Sequence, residues 1–138
     1  MIRRLWIGFG AMLALAGCMP AVLGGGGALP IAFLGSWEGR GSQSDAPGEW
    51  TIAVEIMGGG MDGAAGRIEY PSLECGGTLT LRVAAPGALE LDERITHGDC
   101  VDGGIVTLTE QQDGRLRYDW RQEGSALTAE GMLQRARR

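Results

Sequence analysis

The chain has 138 residues, a formal net charge of −5 and no lysine, so arginine supplies all twelve of its basic residues. This acidic balance argues against nucleic-acid binding, which requires a basic face. It also argues against adhesion to anionic lipid. It is compatible with a cationic partner, and also with a solvated acidic surface that has no specific partner.

The first seventeen residues have the features of a bacterial lipoprotein signal peptide. Arg3 and Arg4 provide a cationic start, and residues 5–15 are apolar apart from glycine. That run is too short to span a bilayer but has the length of a signal-peptide core. Residues 15–18, Leu-Ala-Gly-Cys, match the lipobox, whose small side chains permit cleavage and whose cysteine receives diacylglycerol. The alternative is an ordinary secretory signal followed by a chance cysteine.

The lipobox predicts that Cys18 becomes an acylated amino terminus, carrying chains such as palmitate, and that membrane lipid is a partner of the protein. Two acyl chains give a stable anchor where one gives only a marginal one. Met19 follows the cysteine, where an aspartate would signal retention in the inner membrane of Gram-negative bacteria. We therefore expect the outer membrane, with the protein facing the periplasm.

Cleavage after residue 17 of 138 leaves 121 residues, enough for one domain with a modest core. Cleavage also removes Arg3 and Arg4. The mature chain then has ten basic and seventeen acidic residues and a net charge of −7. The predicted division is a signal peptide over 1–17, a glycine-rich tether over 18–32, a β-barrel domain over 33–134 and a basic tail over 135–138.

From Phe33 onward the apolar residues recur with a period of two, which is typical of strands. Turn signals such as Asp113-Gly114 separate these segments and favour an antiparallel meander. About eight strands lose their edges most simply by closing into a small up-and-down barrel, with a sandwich as the alternative. The predicted fold class is therefore all-β. The strands are expected to begin near Gly35, Trp50, Ala65, Thr78, Leu89, Ile105, Leu116 and Leu127.

Two cysteines, Cys75 and Cys100, remain besides Cys18. An even pair in an oxidising compartment favours a disulfide. The bond would close a loop of about 26 residues, worth roughly 3–4 kcal/mol on the chain-entropy model. The alternatives are two free thiols or half of a metal site.

One long segment resembles a small extracytoplasmic module of bacteria that is often the C-terminal sensor region of membrane serine/threonine kinases. The run 70–75, Tyr-Pro-Ser-Leu-Glu-Cys, is its most specific part, and the likeness covers about Trp50 to Leu133. The resemblance implies the same fold, supports a Cys75–Cys100 pair and implies extracytoplasmic binding or sensing. This chain has no kinase domain. Further segments that carry the resemblance are 68–81, 93–98, 106–109 and 116–120.

A second, shorter resemblance concerns the start of the first strand. Gly35-Ser36-Trp37 is similar to the Gly-x-Trp that opens the first strand of lipocalins and avidins. It implies a calycin-like barrel.

Glu93 is the most informative single residue, because strand alternation puts it on the inward face with Leu89, Leu91 and Ile95. A buried carboxylate is costly unless it is paired or hydrogen-bonded. Glu93 is therefore either a structural anchor for an inward Arg, Tyr or amide, or a polar group in a ligand pocket; an exposed strand end is the third alternative.

The large aromatic residues of the domain have two interpretations. They are either simply core, or two or more of them line an open barrel mouth. The residues concerned are Trp37, Trp50, Tyr70, Tyr118 and Trp120. With Glu93, the candidate ligand-binding residues are Tyr70, Tyr118 and Trp120.

Nothing in the sequence marks a catalytic centre, a metal site or a cofactor, and we expect the protein not to be an enzyme. His97 and Asp99 form a His-x-Asp pair after the fifth strand, but no nucleophile is marked nearby. Asp99 and Asp102 do not follow the spacing of a calcium loop.

The sequence therefore predicts a lipid-anchored extracytoplasmic binding or interaction module of the bacterial cell envelope. Its partner would be a small molecule, a glycan or a cationic protein. One alternative is an inhibitor of a cell-wall-degrading enzyme such as lysozyme, although the chain lacks the Ser-Gly-x-x-Tyr motif of that family. The other is a purely structural envelope lipoprotein.

Overall fold

A computed structural model of the protein describes residues 29–58 and 63–137. In this part of the chain the strands form one closed barrel, in which each strand pairs antiparallel with its chain neighbour and the first pairs with the last. The predicted all-β up-and-down barrel is thereby confirmed. The strands are β1 (Gly35–Gln43), β2 (Trp50–Ile56), β3 (Ala64–Tyr70), β4 (Cys75–Ala85), β5 (Ala88–His97), β6 (Ile105–Glu110), β7 (Leu116–Arg121) and β8 (Thr128–Arg135).

Alternation along the strands decides which side chains fill the barrel. On β5, Leu89, Leu91 and Glu93 are buried while the intervening residues are partly or fully exposed. The same period of two appears on β7, whose Leu116, Tyr118 and Trp120 are buried, and on β2. Successive side chains of a strand point to opposite faces, so one face of each strand builds the core.

One end of the barrel is plugged by the segment that precedes β1. A short 3-10 turn, Ile31–Phe33, places Phe33 in the core with no exposed surface. The indole N–H of Trp37 donates a 2.9 Å hydrogen bond to the Phe33 carbonyl oxygen, which fixes the turn against β1. We call this the plugged end. The opposite end, which carries the β1–β2, β3–β4, β5–β6 and β7–β8 connections, is called the loop end.

Two predicted boundaries differ from the structure. Leu29, a residue of the predicted tether 18–32, is buried in the core of the barrel. Arg135 is the last residue of β8 and not part of a solvated tail. Its guanidinium donates hydrogen bonds to the carbonyl oxygens of Leu34 and Ala32 and lies 4.3 Å from the centroid of the Trp37 ring.

The predicted signal peptide and most of the predicted tether, with Cys18, lie outside the described residues. Among the described residues there is no helical segment with the length and hydrophobicity of a membrane span.

Candidate ligand-binding cavity

A cavity of about 230 Å³ opens at the loop end of the barrel. The small side chain of Ala129, which pairs with Trp120, fills little of the space in this part of the wall. The six-membered ring of Trp50 occupies the space that a side chain would need at Gly41. The lining residues are Gln43, Trp50, Tyr70, Leu73, Glu93, Asp99, Cys100, Val101, Tyr118, Trp120, Leu127 and Ala129.

The carboxylate of Glu93 is the polar centre of this cavity. Glu93 is 4% exposed and accepts a 3.0 Å hydrogen bond at Oε1 from the indole N–H of Trp120. Its Oε2 accepts a hydrogen bond from the hydroxyl of Tyr70. The Tyr70 hydroxyl oxygen lies 2.8 Å from that of Tyr118. Side chains of β3, β5 and β7 thus meet in one network.

The direction of the hydrogen bonds in this network follows from its stoichiometry. A tyrosine hydroxyl has one hydrogen, and that of Tyr70 is donated to Glu93. Tyr118 is therefore the donor in its contact with Tyr70, and its oxygen keeps lone pairs for a further donor. The chain of donors runs from Tyr118 through Tyr70 to the carboxylate.

Burial dominates the electrostatics of this group. Desolvation raises the pKa of Glu93, although the hydrogen bonds from Tyr70 and Trp120 act in the opposite direction. Burial likewise raises the pKa of Tyr70 and of Tyr118, so both phenols stay neutral at physiological pH. Removing a carboxylate from water disfavours its charged form, and no cation of the described residues forms an ion pair with Glu93 to offset this.

Trp50 completes the aromatic wall. Its ring stands edge-on to Tyr70, with centroids 5.2 Å apart, and to Tyr118, at 6.2 Å. Such perpendicular arrangements are favoured by the ring quadrupoles. The buried indole N–H of Trp50 has no acceptor among the described residues.

The rim of the cavity is held by the β5–β6 connection, residues 98–104. The predicted disulfide between Cys75 and Cys100 is confirmed, with Cα atoms 6.0 Å apart, and ties this connection to the start of β4. Asp102 accepts hydrogen bonds of 2.8 Å at Oδ1 from the backbone N–H groups of Ile95 and Gly103. These bonds hold the pKa of Asp102 below its usual range. The rim is therefore anchored at several points.

The structure brings together the four candidate ligand-binding residues that the sequence predicts. Tyr70, Glu93, Tyr118 and Trp120 share the cavity. Trp37 packs at the plugged end instead. Sequence reasoning missed Leu73 and Val101, whose exposed side chains, 45% and 48%, stand at the rim. The apolar residues in the predicted turns were the only signal for them.

His97 and Asp99 do not act together. His97 ends β5, and its Nε2 lies 2.9 Å from Oε2 of Glu69, a residue that does not line the cavity. Asp99 does line the cavity and so joins Glu93 as its second carboxylate. Among the described residues there is no cluster of three or more side chains suited to hold a metal ion.

Comparison with known proteins adds no identity. The chain matches no protein-family model, no curated protein and no solved structure. The resemblance to the sensor module of membrane kinases stays a prediction.

Proposed function

We propose that the protein is a lipid-anchored binding module of the bacterial cell envelope that holds a small ligand in the cavity at the loop end of its barrel. One observation carries the proposal. Four aromatic side chains and a buried carboxylate converge on a space of about 230 Å³ that is not filled by the protein. The anchor is inferred from the lipobox that ends at Cys18.

The composition of the cavity supports a site rather than a packing defect. Protein interiors are close-packed, and voids that hold no water are normally apolar. Here the wall combines aromatic surface with a few converging polar groups, which is the usual composition of small-molecule sites. Sites for drug-sized ligands span about 300–1,000 Å³, so this cavity suits a smaller molecule.

Binding is a better proposal than catalysis because Glu93 has no reactive neighbour within the described lining. Its hydrogen-bond partners are Tyr70 and Trp120, and the only sulfur at the wall, that of Cys100, is in the disulfide. A nucleophile paired with a base is the usual signature of covalent catalysis, and these residues do not provide it.

The binding role is tested by filling the cavity. We expect the full chain, extracted in detergent from the membrane of the producing bacterium, to release a small molecule on denaturation, identified by mass spectrometry. Ala129→Leu places a larger side chain in the cavity and should abolish this release. Ala53→Leu makes the same change outside the cavity and should leave it intact. Equal release from both variants, each melting like wild type, would overturn the proposal.

The anchor is tested separately at Cys18. We expect wild type to partition into a detergent phase and Cys18→Ser to remain an unlipidated precursor that does not. Membrane fractionation of Cys18→Ser identical to that of wild type would contradict the lipoprotein assignment.

Inhibition of a cell-wall-degrading enzyme is the second candidate, favoured by the rim. Exposed Leu73 and Val101 line the cavity together with Asp99, a combination of apolar and acidic groups that suits a basic partner protein. Addition of the protein should then slow the clearing of a cell-wall suspension by lysozyme, and Val101→Asp should relieve the inhibition. The third candidate, a purely structural lipoprotein, predicts neither a released ligand nor inhibition.

A further inference from the structure

The hydrogen-bonded network of Glu93, Tyr70, Tyr118 and Trp120 can accept further hydrogen bonds but has no hydrogen left to donate. The indole N–H of Trp50, which also lines the cavity, is outside this network. The hydrogens of Tyr118, Tyr70 and Trp120 are all used within the network that ends on Glu93. An ionised carboxylate has about four lone-pair positions, of which two are occupied here. The remaining capacity of this network lies on the oxygens of Glu93 and Tyr118, so a ligand that binds the network must bring the donors.

The charge of the cavity wall also favours a ligand that brings hydrogen-bond donors. Among its described residues the cavity wall has two carboxylates, Glu93 and Asp99, and neither arginine nor histidine. Asp102, the other charge that acts on Glu93, is also negative. A buried carboxylate without a cation is costly, so a ligand with a positive charge gains more here than a neutral one. An anionic ligand is disfavoured by every charged group of the wall.

The aromatic side chains add a second attraction for a cation. Trp50, Tyr70, Tyr118 and Trp120 all line the same space as the carboxylate. A cation near an aromatic ring is attracted by the ring quadrupole, and the attraction is stronger where water is excluded. Aromatic rings around one carboxylate are therefore a suitable environment for an ammonium group.

We propose that the ligand of this cavity is a small organic ammonium ion, whose N–H groups donate to the carboxylate of Glu93 and to the hydroxyl oxygen of Tyr118. The inference rests on the proposed binding function and names the chemical class of its ligand.

The test compares three probes of similar size and different charge by isothermal titration calorimetry. The probes are 2-phenylethylammonium, 2-phenylethanol and phenylacetate, added to the detergent-solubilised full chain. We expect the ammonium ion to bind at least about ten-fold more tightly than the alcohol, since charge-assisted hydrogen bonds are roughly twice as strong as neutral ones. We expect no binding of phenylacetate.

Variants then assign the preference to Glu93. Glu93→Gln removes the charge but can still accept from Trp120, and it should lose the ten-fold preference. Glu110→Gln is the matched control, because Glu110 ends β6 at the plugged end and does not line the cavity. It should bind the ammonium ion like wild type. A melting curve of each variant establishes that it is folded.

The pH dependence provides a second readout that does not need a Glu93 variant. Glu93 is faced by Tyr70 from β3, by Tyr118 from β7 and by Asp102 from the β5–β6 connection, with Asp99 at the rim. Both phenols remain neutral and Asp102 remains ionised through the weakly acid range. The affinity for the ammonium ion should therefore fall as the pH drops through the raised pKa of Glu93. Asp99→Asn should retain this fall.

The outcomes separate the two proposals. Equal binding of the alcohol and the ammonium ion, or an ammonium preference retained in Glu93→Gln, overturns the inference but leaves the binding function standing. Failure of the ammonium ion to bind wild type at millimolar concentration also overturns the inference. In that case the proposed binding function is still tested by the release experiment, in which wild type but not Ala129→Leu should release a small molecule. If Glu93→Gln does not fold, an affinity that is constant with pH overturns the inference.

Discussion

The indole N–H of Trp120 donates a 3.0 Å hydrogen bond to Oε1 of Glu93 and so ties β7 to β5 across the inside of the barrel. With Tyr70 on the other carboxylate oxygen, both oxygens of a nearly inaccessible group have a donor. The same carboxylate is therefore a structural anchor of the network and a wall of the cavity. The sequence left open whether Glu93 is a structural anchor or a polar group in a ligand pocket, and these two interpretations are compatible.

Loss of the carboxylate oxygens should destabilise the fold. Glu93→Leu leaves the donors of Tyr70 and Trp120 buried without acceptors, and we expect it to lower the free energy of unfolding by about 1–3 kcal/mol. Glu93→Gln keeps an acceptor and a donor in place and should not lower the free energy of unfolding. Urea denaturation followed by circular dichroism measures both. A Leu variant as stable as the Gln variant would show that the network does not anchor the barrel.

The stability difference between wild type and Glu93→Gln should depend on pH. The folded-state pKa of Glu93 is raised above the ordinary glutamate value of 4.5, so the folded protein holds the proton more tightly than the unfolded chain. The contribution of Glu93 to stability is then full below pH 4.5 and is lost as the pH rises through the folded pKa. Wild type should melt like Glu93→Gln at pH 4 and progressively below it at higher pH. A difference that is constant with pH would contradict this expectation.

Gly104 should be indispensable to the position of Trp120. A Cβ atom on Gly104 would overlap the indole nitrogen of Trp120, the atom that donates to Glu93. We expect Gly104→Ala to lower the free energy of unfolding by about 1–3 kcal/mol, since overpacking forces side chains out of place, and to change the fluorescence of Trp120. Gly58→Ala is the control, because its Cβ would meet only the Leu34 side chain at 3.4 Å. Equal effects of the two substitutions would argue against a specific role for Gly104.

Arg135 should stabilise the plugged end where its neighbour Arg137 does not. Arg135→Ala removes hydrogen bonds to the carbonyl oxygens of Leu34 and Ala32 and the contact with the Trp37 ring. We expect a melting temperature lower by about 4–8 °C. Arg137→Ala deletes an exposed arginine two residues away and should melt within about a degree of wild type. Scanning calorimetry of the two variants shows whether the stability depends on the contacts of Arg135 or only on the basic charge of the C-terminus.

Much of the fold was predictable because it depends on local patterns. Strand alternation is a property of the backbone with a period of two, so the inward positions of Glu93, Tyr118 and Trp120 followed from the sequence alone. Regular turn signals implied a meander, and closure removes its edges. The pairing of Cys75 with Cys100 followed from the count of cysteines and the expected compartment.

The tertiary structure decided what alternation cannot express, namely which inward residues meet. Tyr70, Glu93 and Tyr118 lie on three different strands, and their hydrogen bonds depend on how the closed barrel sets the height of each strand. Arg135 and Arg137 are alike as sequence, and only the pairing of β8 with β1 sets Arg135 against Trp37. The cavity likewise depends on residues such as Trp50 and Ala129, which are distant in the sequence but lie at the same end of the barrel, an arrangement that no local pattern encodes.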